Sequence, residues 1–194
     1  MTEHELLNQL TQVKLLRALT YPALRRLVAQ GRVLWVRKGH IIIGPEIGSI
    51  NAYVVLEGSI SAVMPWGPVL AYLGPGEMFG EMALIAGVER TAYCKAAVDS
   101  VVFEIPFNCF HGDMLTNPVV RAGMQELGLA RHAVQTAIRN GAPAPELEPP
   151  QEEEPEEAPA PAEVGAGTGS EAAAQTDAPP KPDVPKPPAV YATA

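Results

Sequence analysis

Between Arg32 and Ile105 the chain is broken at short intervals by glycine and proline: Gly39, Gly44-Pro45, Gly48, Gly58, Gly67-Pro68, Gly74-Pro75-Gly76, Gly80 and Gly87. Helices of ordinary length do not fit between such breaks. The runs left between them, 33–36, 41–43, 52–56, 59–63, 69–73, 91–96 and 101–104, are rich in Val, Ile, Tyr and Phe, the residues that suit a pleated, half-buried surface. Many short strands in close succession predict a mainly β fold, a double-stranded β-helix or jelly roll. One run departs from the pattern: Glu81–Ala86 (EMALIA) is made of good helix formers and predicts a single helical turn between two strands.

Helical periodicity flanks this block on both sides. Leu6, Leu10, Val13, Leu16 and Leu19, then Leu24, Leu27 and Val28, recur at three- and four-residue spacing. Thr20 and Pro22 mark the start of a second helix, and Gly31 marks its end. After Ile105-Pro106 the pattern resumes at Asn117-Pro118, an N-cap followed by a proline in the first turn. Val120, Met124, Leu127 or Leu129, Val134 and Ile138 then form a stripe that can pack on its own domain or pair with a second copy. Gly141, Pro143 and Pro145 end the helix. The expected organisation is therefore N-terminal helices over 1–30, a β-roll over 31–116, a C-terminal helix over 117–140 and a tail over 141–194.

The tail differs in composition from everything before it. It holds 13 of the 20 prolines and 11 of the 22 acidic residues, one Leu and no Ile, Phe or Trp. Its net charge is −9, against +1 for residues 1–140. Such a segment cannot bury enough apolar surface to offset the entropy of ordering its backbone, so it is expected to be disordered. It reads as an extended linker or as a docking arm for a protein partner, with 182–188 (PDVPKPP) as the contact. No apolar run approaches the length of a membrane span, and the start MTEHELLNQL has no secretory pattern. A cytoplasmic protein without membrane association follows as the expectation. Cys94 and Cys109 have no metal or redox spacing and read as buried thiols. The four histidines, His4, His40, His111 and His132, are scattered, so no metal site is expected.

The informative stretch runs from Gly74 to Ala96: GPGEMFGEMALIAGVERTAYCKA. Here the chain resembles the cyclic-nucleotide-binding domain family, the Crp/Fnr sensory domain above all. The resemblance rests on Gly76, Phe79-Gly80-Glu81, Ala83-Leu84 and Arg90-Thr91-Ala92, with nine residues from glutamate to arginine. It extends through the 52–59 strand and turn (AYVVLEGS) and, without gaps, through Ile105-Pro106 and Asn117-Pro118 into the last helix.

The chemistry of these residues fits that resemblance. A cyclic nucleotide offers one diffuse negative charge, a ribose 2′-hydroxyl and a purine edge. Arg90 brings a fork of donors suited to two phosphate oxygens. Gly80 allows close approach of the backbone. The turn beginning at Glu81, with Met82 and Ala83 in its first positions, brings unpaired N–H groups. Phe79 directly precedes Gly80. The resemblance implies that Glu81 contacts the ribose 2′-hydroxyl, that Arg90 contacts the cyclic phosphate and that the ligand is cAMP or cGMP, with no cofactor. Thr91, followed by Ala92, leaves the base open. The resemblance also places Gln135 and Thr136, on the final helix, at the base. The plain alternative is a Glu81–Arg90 salt bridge inside a cassette that binds nothing. Crp/Fnr regulators continue into a winged helix-turn-helix; here that place is taken by APAPELEPPQEEEPEEAPAPAEV, which DNA phosphates would repel. The expectation is a non-enzymatic sensor acting through a protein partner or a homodimer of the last helix, not through DNA. The rival is a ligand-blind scaffold.

Overall fold

The computed structural model describes residues 1–87 and 89–151. The expectations for the tail from 152 onward, its disorder and its contact at 182–188, lie outside the described residues.

Thr2 opens helix α1 (Glu3–Gln12) with a capping box: its hydroxyl accepts from Glu5 N–H and the Glu5 carboxylate accepts from Thr2 N–H. The apolar period continues past this helix, but the backbone does not. Val13, Leu16 and Leu19 are buried from a short 3₁₀ turn, Leu16–Ala18. Helix α2 (Tyr21–Gln30) starts at Thr20, whose hydroxyl accepts from Ala23 N–H, and stops at Gly31.

Eight strands follow: β1 (Arg32–Val36), β2 (Ile41–Ile43), β3 (Ala52–Glu57), β4 (Ile60–Val63), β5 (Val69–Leu73), β6 (Met78–Phe79), β7 (Tyr93–Ala96) and β8 (Ser100–Ile105). They make two four-stranded antiparallel sheets, ordered β1-β8-β3-β6 and β2-β7-β4-β5. The sheets face each other across a core of Tyr53, Val55, Phe79 and Val102 from the first and Ile43, Ile60, Leu73 and Ala96 from the second. The first sheet has a second apolar face. Val54, Leu56, Val101, Phe103 and Ile105 bury it against the helices, so β8 is buried along its whole length, its polar Ser100 and Glu104 included. The layers are therefore helices, first sheet, second sheet. The second sheet turns its other face outward, where Tyr72, Ser61 and Lys95 stand opposite one another on β5, β4 and β7.

Between the sheets' strands, α3 (Glu81–Ala86) is the helical turn that the EMALIA run predicts. Helix α4 (Phe107–Cys109) runs on into a π turn, Phe110–Met114, which buries Phe110 and Met114. Helix α5 (Pro118–Arg139) is capped by Asn117, whose Oδ1 accepts from Val119 and Val120 N–H while its Nδ2 donates to Ala18 O at 2.8 Å. The first half of α5 buries Val120 and Met124 in the core; in its second half Leu129 and Val134 are exposed. Its stripe therefore packs intramolecularly over only part of its length. Among the described residues no helix is long and apolar enough to cross a membrane, and no cluster of His, Cys, Asp and Glu could hold a metal ion.

Candidate functional site

A cavity of about 780 Å³ lies between α3, the inner face of the second sheet and the second half of α5. Phe79, Gly80, Glu81, Met82 and Ala83 form one wall, from the end of β6 into α3. Arg90, Thr91 and Ala92 form the next, and Gln135 reaches it from α5. Thr136 is not among the lining residues; its hydroxyl lies 3.4 Å from His132 Nε2.

Gly80 is the backbone key of the first wall. It stands at φ +81°, and a Cβ there would meet Ile43 Cδ1 at 2.6 Å and Asn51 O at 3.2 Å. Only glycine takes that conformation in that space without strain. Because Gly80 is also the N-cap of α3, the helix has no side-chain cap, which leaves its first N–H groups without the usual partner.

Arg90 is held by backbone carbonyls. Its Nη1 donates to Gly80 O, and its Nη2 donates to Ser49 O at 3.1 Å and Asn51 O at 2.8 Å. Three bonds leave two of its five N–H donors. Burial draws its pKa down, opposed in part by the nearby ionisable groups Cys94, Tyr53 and Glu81. The loop that supplies two of these carbonyls is itself anchored. Asn51 Nδ2 donates to Glu104 Oε1 at 2.9 Å, and Asn51 Oδ1 accepts from Phe107 N–H at 3.1 Å.

Glu81 does not pair with Arg90. It is 1% exposed, and its Oε1 accepts at 2.7 Å from Nη1 of Arg131, which also donates to Met78 O. With its fork drawn toward the 49–51 loop, Arg90 leaves Glu81 to a cation from α5. The other carboxylate oxygen, Glu81 Oε2, is buried and has no partner among the described residues. Arg131 is a cavity residue that the cassette pattern does not point to. The usable signal is its spacing: Met124, Arg131 and Gln135 are seven and four residues apart, one helical face.

At the far side, Thr91 Oγ1 donates to Gln135 Oε1 at 3.1 Å, joining the cassette to α5 a second time. Cys94 also lines the cavity, and burial pushes its thiol up to about 12. It is a neutral packing group at neutral pH, not a nucleophile.

A β-roll with a short helix, a following arginine and a long helix closing one large cavity is a small-ligand-binding module. Residues 33–116 match the family model of the cyclic nucleotide-binding domain. An uncharacterized NTE family protein of Mycobacterium tuberculosis is 32% identical over 74 residues, covering 38% of this chain and 13% of the relative. An uncharacterized protein of the same organism is 33% identical over 102 residues, covering 52% and 19%. The chain thus spans less than a fifth of the length of these relatives. Among solved structures, "cAMP bound PfPKA-R" superposes with a TM-score of 0.63 at 17% identity, covering 73% of this chain and 48% of that one. The sensor domain of the transcriptional regulator DNR from Pseudomonas aeruginosa gives 0.56 at 17%, covering 68% and 96%. At such identities the likeness is one of fold.

Proposed function

We propose that the chain is a cyclic-mononucleotide sensor, binding cAMP or cGMP without a cofactor, that regulates through a protein surface and not through DNA or catalysis. The observation that carries this reading is the unpartnered Glu81 Oε2, buried beside the cavity a few residues from Arg90. An orphaned buried carboxylate oxygen is costly, and a ribose 2′-hydroxyl is the donor that would satisfy it. In this reading the two remaining Arg90 donors and the free N–H groups of α3 take the cyclic phosphate. Thr91 and Gln135 meet the base; Thr136, set against His132 and outside the cavity lining, does not. Phe79, Gly80, Met82, Ala83 and Ala92 shape the wall. Because Arg131 and Gln135 both ride on α5, a nucleotide that prefers one placement of α5 shifts its population. The coupling needed is about 1–3 kcal/mol. The output is then a homodimer or partner surface on α5 or the tail. The charges, +1 over residues 1–140 and −9 beyond, argue against a DNA-facing output.

The test is isothermal titration of the full chain with cAMP and cGMP, alongside Arg90→Ala. Binding by the wild type that is lost in the variant is expected. A 2′-deoxy analogue should bind about tenfold or more weakly, the value of a hydrogen bond to a charged group. The rival scaffold reading draws on the Arg131–Glu81 pair and the three carbonyls on Arg90, which complete the site from within. No heat with either nucleotide and an unmoved melting temperature would establish it.

A further inference from the structure

The outer face of the second sheet is partly covered. Ser61 points away from the core, between Tyr72 and Lys95 in register, yet it is only 2% exposed. What stands over this row is the chain itself. Pro149 and Pro150 line a recess of about 310 Å³ together with Lys38, Ser61, Tyr72 and Lys95. These prolines follow directly from α5. The helix ends in a reversal: Gly141, at φ +96°, donates its N–H to Ile138 O, and Ala142 N–H donates to Ala137 O. This is the left-handed closure that turns a chain back. From Ala142 to Pro149 the chain reaches at most about 25 Å, so the end of α5 is on a short leash to the opposite face of the sheet whose inner side lines the cavity.

We propose that the face formed by Tyr72, Ser61, Lys95 and Lys38 is the seat of the chain's own segment 142–150, and that this strap holds α5 over the cavity. The chemistry of the two sides matches. Consecutive prolines present a rigid, extended, apolar surface that aromatic side chains recognise, and here the aromatic is Tyr72. The strap carries Glu146 and Glu148, and the seat carries two lysines. The strap's effect on affinity rests on the nucleotide reading above, whereas its seating does not.

Limited proteolysis and hydrogen exchange on the full chain test the two parts. Two variants loosen the contact from opposite sides: Tyr72→Ala/Lys95→Ala on the face and Pro149→Gly/Pro150→Gly on the strap. Both should speed cleavage of the Glu146–Leu147 bond by a glutamate-specific protease, and also hydrogen exchange at the amides of 131–140 in the last turns of α5. Unchanged cleavage at that bond in both variants overturns the seat. Faster cleavage there with exchange at 131–140 unmoved overturns the tether. Titration with cAMP and cGMP adds a second readout: both variants should change the dissociation constant on the order of fivefold or more. An identical constant in wild type and variants also overturns the tether. Failure of the wild type to bind either nucleotide counts against the sensor reading and leaves proteolysis and exchange to decide the strap.

Discussion

Glu81 and Glu104 are both nearly sealed from water, and their surroundings treat them in opposite ways. Glu104 accepts from Arg32, Asn51 and Tyr53. Burial pushes its pKa up, but these donors together outweigh burial and hold it below the ordinary value. A carboxyl lowered in the folded state binds fewer protons there than when unfolded. Its contribution to stability is complete above the unfolded value of about 4.3 and is lost as pH falls below it. Urea midpoints measured from pH 6 to pH 3 should therefore drop more steeply for the wild type than for Glu104→Gln; parallel curves would refute the assignment. Glu81 has one charged partner and one bare oxygen. Arg131→Met should strand its carboxylate and lower stability by roughly 3–5 kcal/mol, as breaking a buried pair does. Adding Glu81→Gln should recover part of that loss. A double variant no more stable than Arg131→Met would mean that the two side chains do not act as a pair.

Asn117 joins two elements with one side chain, capping α5 and donating to Ala18 O. Asn117→Ala should cost about 1–2 kcal/mol in urea unfolding, the worth of a cap. Asn117→Asp, which keeps the acceptor but loses the donor, should fall between. Equal losses in the two variants would assign the whole effect to the tie with Ala18. This cap belongs to what is legible in sequence, as do Thr20 at α2 and the isolated EMALIA turn. In each of these a local residue choice sets a local boundary. The two-residue strand β6, the 3₁₀ turn and the π turn after α4 have no such mark. Met78 and Phe79 become a strand by pairing with Val54 and Tyr53, and Phe110 and Met114 are placed by the core they fill. Periodicity alone also overextends α1, because Leu16 and Leu19 keep helical spacing while the backbone has already left the helix.

At the scale of the molecule, the cassette is written contiguously and its closure is not. Gly80, Glu81 and Arg90 announce themselves by spacing. The contacts that α5 makes with them, Arg131 to Glu81 and Gln135 to Thr91, span 50 and 44 residues and depend on how the helix lies across the roll. That same helix leaves Leu129 71% and Val134 45% exposed, although both also border the cavity. An apolar pair at the mouth of a ligand cavity is a surface that a second copy's α5 can cover, in the way the helix stripe suggests. A ligand that settles α5 would then favour association, and by linkage association would favour the ligand to the same degree. Sedimentation of the full chain across a concentration series, with and without cAMP and cGMP, should show a dimer that strengthens with the bound nucleotide. Leu129→Glu should shift that equilibrium toward monomer by tenfold or more, about the 1.4 kcal/mol lost when one exposed leucine no longer packs. A monomer at every concentration, with or without nucleotide, would place the output of the sensor on another surface of the chain and leave α5 as a cover for the cavity alone.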